Sequence, residues 1–179
     1  LNVMRQTLLF NTMEAVQLNA NRRNGNLRLY EFGNCYFYDE AARDAEKPLS
    51  AYSEQYRLAI AVTGAAVPQS WNAKPQASSF FTLRAVAEKL LRRFGLDSDA
   101  LKCEPLQSDL CGDGISLSAG NGRGLLQMGV VAPRIRRAFD LKQEVYYLEM
   151  NFDALVKSTR KHRIAFEELS KFPEVKRDL

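Results

Sequence analysis

The chain has 179 residues, of which 46% are hydrophobic and 26% charged. That suits one well-packed globular domain, and no apolar run reaches the length of a membrane span. The net charge of +4 permits nucleic-acid contact without arguing for it, because the basic residues come in short scattered pairs. The three cysteines, Cys35, Cys103 and Cys111, are an odd number with no metal-like spacing. They read as reduced thiols of a cytosolic protein, buried and structural. No signal peptide opens the chain, which starts at Leu1 without Met and stops in a charged segment. Both ends read as cut, so a piece of a longer protein is expected.

Residues 7–23 read as a helix, with Leu9, Met13, Val16 and Ala20 on one face. Asn24-Gly25-Asn26 ends it, with Gly25 expected in the left-handed cap. Residues 27–38 (LRLYEFGNCYFY) read as strand, tight turn at Gly33-Asn34, and strand. Residues 39–54 are polar and mixed in charge, as in a long surface loop. Residues 56–64 suit a strand buried on both faces. Residues 65–75, with two prolines, read as an irregular connection anchored by Trp71.

Ser78 and Ser79 offer N-caps for a second helix over 80–94, closed by Gly95. Its apolar stripe is Phe80, Leu83, Ala87, Leu90 and Phe94. Residues 101–107, 114–119 and 125–131 are strand-like, with an Asn121-Gly122 hairpin turn between the last two. Pro133 opens a short helix to residue 139. Residues 144–151 form another strand, and 152–158 a short helix. The fold class expected is α+β: a mainly antiparallel sheet flanked by helices.

Several chemically suggestive features have plainer readings. The loop Gly120-Asn121-Gly122-Arg123-Gly124 lacks the following helix that a phosphate loop requires, so it reads as a hairpin. His162, the one histidine, lies in a basic segment and reads as a solvated surface residue. A histidine-based metal site is excluded by number. Glu104, Asp109 and Asp113 read as solvated loop carboxylates rather than an Mg²⁺ site. The pairs Arg22-Arg23, Arg92-Arg93 and Arg136-Arg137 sit near helix ends, where they complement the helix dipole.

Two resemblances then give these patterns a frame. Residues 27–38 resemble the second signature motif of the class II aminoacyl-tRNA synthetases, in which an arginine holds the ATP phosphate. Glu31 and Gly33 are kept, but Phe37 stands where that arginine is expected. A phenyl ring cannot make the bidentate, charge-assisted contacts of a guanidinium. The segment Gly129-Val130-Val131-Ala132-Pro133-Arg134 occupies a plausible place for the third motif, with one glycine where that motif has several.

Across nearly its whole length the chain resembles the family of bacterial phenylalanyl-tRNA synthetase β subunits, in its catalytic-like module. The resemblance rests on Met4-Arg5-Gln6-Thr7-Leu8; on Asn19, Asn21 and Arg22; on Tyr30-Glu31-Phe32-Gly33; and on Trp71-Asn72. It continues at Gly129-Val130-Val131-Ala132-Pro133 and at Phe172-Pro173-Glu174-Val175-Lys176-Arg177-Asp178-Leu179. Cys111-Gly112-Asp113 departs from it, where the family usually has His-Pro-Gly.

The resemblance implies a class II catalytic-like module over residues 1–170. Residues 171–179 would be a linker toward an anticodon-binding domain. It implies a cytoplasmic, (αβ)₂ phenylalanine-tRNA ligase that uses ATP and magnesium to charge tRNA(Phe), with the active site on the α subunit. This part would hold no catalytic, cofactor or metal residue and would support and pair with α. Tyr30, Tyr36 and Tyr38 are the candidate interface residues, with packing inside the domain as the other reading. The alternatives are a stand-alone class II-like adenylating enzyme, with an arginine brought from elsewhere, and an RNA-binding module, with the arginine pairs converging on one face.

Overall fold

The computed structural model describes residues 3–120, 122 and 124–159. His162, Asn121 and the segment 172–179 lie outside the described residues, as does the expected linker.

The first helix, α1 (Leu9–Asn21), buries Leu9, Thr12, Met13 and Val16. Its end is not formed as expected. Arg23, at φ 65°, takes the left-handed position assigned to Gly25. Gly25 instead lies against Gln143, whose Nε2 donates to the Gly25 carbonyl at 3.0 Å.

Residues 27–38 are one unbroken strand, β1 (Leu27–Tyr38), not a hairpin. Gly33 makes no turn and has no positive φ. Its missing side chain makes room for Arg5, because a Cβ there would stand 2.0 Å from Arg5 Nη2. The hairpin is larger: β1 pairs antiparallel with β2 (Tyr52–Thr63) along its full length, from Leu27↔Thr63 to Tyr38↔Tyr52. The polar loop between them holds a short 3-10 turn at Glu40–Ala42.

Two short strands, β3 (Ala65–Val67) and β4 (Gln76–Ala77), form an arm apart from the main sheet. Trp71, expected to anchor this connection, is 97% exposed. With Ser70 bridged to Ala73, it stands at the arm's tip.

Helix α2 (Phe80–Arg93) starts at a capping box: Ser79 Oγ accepts from Thr82 N–H, and Ser79 N–H donates to Thr82 Oγ1. It stops at Gly95, with φ 73°. Then come β5 (Lys102–Pro105), β6 (Cys111–Ser118), β7 (Gly124–Val131), α3 (Pro133–Ala138), β8 (Val145–Asn151) and α4 (Phe152–Thr159).

The main sheet has the order β1-β2-β8-β7-β6-β5, and every neighbouring pair is antiparallel. Side chains alternate along each strand, so the sheet carries two cores. On one face Ala59, Ala61, Val145 and Tyr147 pack with Leu9, Met13 and Val16 of α1 and Ile135 of α3. On the other, Leu58, Val62, Tyr146, Leu148 and Met150 pack with Leu83, Ala87 and Leu91 of α2 and Leu155 of α4. The architecture is the α+β type expected, with the central strands buried on both faces.

Candidate functional site: a cleft whose arginine is already paired

Phe37 lies on the α1 face of the sheet, packed at the margin of the first core. Its neighbour is Arg57 of β2, whose guanidinium carbon stands 4.7 Å from the ring centroid. The electron-rich ring face attracts that cation. Arg57 is also held from two other sides. Its Nη1 donates to Glu149 Oε1 at 2.6 Å, and its Nε and Nη2 donate to Gln55 Oε1 at 3.3 and 2.9 Å.

Glu149 is the hub. Strand alternation on β8 turns it to the same face as Val145 and Tyr147, beside β2. Its side chain is 9% exposed. Oε2 accepts from Thr7 Oγ1 at 2.5 Å, from the Tyr147 hydroxyl at 2.6 Å and from the Leu8 amide at 3.4 Å. A carboxylate this deep is tolerable only when paired and saturated with donors, as here.

The segment before α1 forms the other wall. Arg5 pairs with Glu31 at 2.8 Å and donates through Nε to the Asn34 carbonyl at 2.8 Å. Its own carbonyl accepts from the Tyr36 amide at 2.9 Å. The segment therefore runs as a strap along the free edge of β1. Between strap and sheet lies a cavity of about 630 Å³, lined by Met4, Phe10, Phe37, Leu110, Tyr147 and Glu149 among others. A polar cleft of about 500 Å³ adjoins it, bounded by Gln55, Arg57, Glu104, Gln127, Glu149 and Asn151.

This donor set does not fit a nucleoside triphosphate. Among the described residues Arg57 is the only cation lining the polar cleft, against the carboxylates of Glu104 and Glu149. Its guanidinium is committed to Glu149, Gln55 and the Phe37 ring. The thiols and the phenol described at this site are not poised as nucleophiles either. Burial, with Glu149 adding to it, pushes the Cys35 thiol up to about 11. The same causes, in the same order, push Cys111 up to about 11. Burial and then Glu149 also raise the Tyr147 phenol far above its ordinary range. All three stay protonated at neutral pH.

Other residues singled out in the sequence fall elsewhere. Arg134 does not reach this cleft; it is two-thirds exposed on α3, with Nη2 3.0 Å from the Asp109 carbonyl. Glu104 pairs with Lys102 at 2.7 Å, and Asp109 and Asp113 are exposed. Among the described residues, no group of three or more His, Cys, Asp or Glu gathers as metal ligands would. Cys35 and Cys111 are buried and Cys103 is exposed, correcting the expectation that all three are buried. The departure at Cys111-Gly112-Asp113 opens β6, where the pairing with β7 slips between Cys111 and Gly114.

The three tyrosines lie on β1, an edge strand. Tyr30 is 76% exposed, edge-on to Phe32, and Tyr38 is half-exposed against Tyr52. Tyr36 is half-buried, its amide held by the strap. The arginine pairs of α2 and α3 pack over opposite faces of the sheet and do not converge.

Sequence reasoning missed Arg57 and Glu149. The signal was present for Glu149, a charge inside the apolar run of VYYLEMN; Arg57 is harder to see, because it follows the polar start of YSEQYRLAIAVT. A charge at such a position calls for a partner.

A family model described as "Phenylalanyl tRNA synthetase beta chain CLM domain" matches residues 1–152. The chain belongs to this family. The phenylalanine–tRNA ligase beta subunit of Bacteroides thetaiotaomicron is 44% identical over all 179 residues, which make up 22% of that protein. The corresponding subunit of Bacteroides fragilis is 41% identical, and that of Porphyromonas gingivalis 37%, over the same shares. The chain thus spans about a fifth of the length of these relatives. Among solved structures, Desulfitobacterium hafniense PylSc, a pyrrolysyl tRNA synthetase, is similar with a TM-score of 0.59 at 16% identity. That match covers 86% of this chain and 49% of the other. It shows the fold alone: the module is built on the class II synthetase plan.

Proposed function

We propose that this catalytic-like module is a non-catalytic support within a phenylalanine-tRNA ligase β subunit. In this reading the module pairs with an α subunit in a cytoplasmic (αβ)₂ enzyme that charges tRNA(Phe), and ATP and magnesium act on α. Residues 171–179 lead toward an anticodon-binding domain. Tyr30, Tyr36 and Tyr38, on the sheet edge, are the first candidates for contact with α.

One observation carries the reading. Phe37 stands where the class II phosphate-binding arginine is expected, and its neighbour Arg57 is stacked on its ring and paired with Glu149. A cleft whose one cation among the described residues is already paired offers little to a triphosphate. The test is calorimetry with magnesium-ATP: the chain alone is expected to give no binding heat, and the chain with its α subunit a stable complex. Micromolar ATP binding by the chain alone would overturn the non-catalytic half of the reading. Failure to associate with α would overturn the other half.

A further inference from the structure

β1 is an edge strand, and the strap covers only part of its outer side. Its register with β2 runs without a slip from Leu27↔Thr63 to Tyr38↔Tyr52. In an antiparallel ladder each residue turns its amide and its carbonyl to the same side, and successive residues alternate. The strap shows which residues turn outward. The Tyr36 amide donates to the Arg5 carbonyl at 2.9 Å, and the Asn34 carbonyl accepts from Arg5 Nε at 2.8 Å. Both therefore face away from β2. By alternation Phe32, Tyr30 and Arg28 face the same way. Among the described residues nothing bonds to their outward amides and carbonyls.

This stretch carries none of the devices that usually blunt a sheet edge. Residues 28–32 (RLYEF) hold no proline and no bulge. Their one acid, Glu31, is already paired with Arg5 at 2.8 Å. The opposite edge of the sheet differs. There β5 is only 4 residues long, ends in Pro105 and carries the exposed Lys102–Glu104 pair.

A regular row of unpaired backbone groups is matched by another strand, which offers donors and acceptors at the same spacing. Alternate side chains of that strand would stand beside Tyr30 and Phe32, which are 76% and 42% exposed. Between these two and α2 lies an open groove of about 780 Å³, lined also by Arg28, Lys89, Arg92 and Arg93. None of the four cations is in an ion pair among the described residues. They favour a strand with apolar and acidic residues on that face. A second copy of this chain fits poorly. Antiparallel self-pairing about Tyr30 keeps both α2 helices on one side of the joined sheet and turns the two sets of cations toward each other.

We propose that an extended, acidic segment of the α subunit adds a strand to β1 at residues 28–32 and continues the sheet across the subunit boundary. The inference rests on the reading that this edge meets α, and it gives that contact a mode: backbone pairing, with Tyr30 beside the added strand.

The test is residue-resolved amide exchange, read by mass spectrometry on the assembled enzyme. Arg28, Tyr30 and Phe32 are expected to exchange as slowly as Tyr36. In the full-length β subunit freed of α, the same three amides should exchange about tenfold faster or more, while Tyr36 and the β2-facing Leu29 and Glu31 stay slow. Fast exchange at the three positions in a stable assembly would overturn strand addition and leave the contact with α standing. Slow exchange both with and without α would mean that the β subunit covers the edge itself, which also sinks the proposal. A β subunit that does not associate with α removes both readings.

A second measurement needs no free β subunit. A benzophenone photo-cross-linker in place of the exposed Tyr30, in the assembled enzyme, is expected to capture one α segment in which apolar and acidic residues alternate with the period of a strand. Capture of the β subunit, of tRNA or of nothing contradicts the proposal.

Discussion

Glu149 binds together three parts of the chain that are remote in sequence: Thr7 and Leu8 in the strap, Arg57 on β2, and its own strand through Tyr147. Removing it strands a half-buried guanidinium and two hydroxyls. Glu149→Ala is therefore expected to cost about 3 kcal/mol of stability in urea unfolding, in the range for breaking one side of a buried pair. Glu149→Gln should cost clearly less, because its carbonyl oxygen still accepts from Thr7 or Tyr147. Equal losses from the two variants would mean that packing, not hydrogen bonding, makes Glu149 matter. At this scale the sequence was legible where a residue is absent and less so where one is added. Phe37 stood out against the motif it resembles. The identity of its partner did not, because Arg57 is 20 residues away and joins Phe37 only through strand pairing.

Among the described elements, periodicity and proline placement located the four α-helices and nearly every strand of the sheet, while the turns were harder to place. Gly33-Asn34 looks like a turn by composition, yet the alternation of residues 27–38 runs straight through it. The glycine is there because Arg5 crosses that point of the strand, a contact with no local signature. Gly25 misled in the same way, since Gln143, 118 residues on, sets its surroundings. Trp71 misled through its size, because a large indole usually implies burial. Capping, by contrast, is local chemistry and was readable: Ser79 caps α2 as its position suggests. Ser79→Ala is expected to destabilise the module by about 1 kcal/mol, measured by thermal or urea unfolding. Ser78→Ala should have little effect, since its buried Oγ has no hydrogen-bond partner.

For the whole molecule, the two buried thiols link stability to pH. Folding raises the pKa of both Cys35 and Cys111 to about 11, above the ordinary thiol value of about 8.5. The folded state therefore holds these protons more tightly than the unfolded state. Their stabilising contribution is complete below about pH 8.5 and is lost as the pH rises through about 11. Tyr146, pushed up to about 12, extends the decline in the same direction. Urea midpoints are expected to be flat from neutral pH to about 8.5 and to fall steadily above it. Thiol labelling at neutral pH should modify Cys103 quickly and the other two only on unfolding. A native protein with three fast thiols would contradict the burial of Cys35 and Cys111.

The strand order carries one more consequence, for biosynthesis. β1 and β2 are adjacent in sequence and can pair as soon as both have left the ribosome. The other edge of β2 belongs to β8, which begins at Val145. Until then that edge, rich in alanine, valine and isoleucine, stays open and able to join another nascent chain. The strap can reach β1 early through Arg5, but its anchor at Thr7 waits for Glu149 on β8. Truncation before residue 145 is thus expected to leave an aggregation-prone hairpin, not a smaller folded module. Synthesis of the last strand is the step that commits the chain to a single six-stranded sheet.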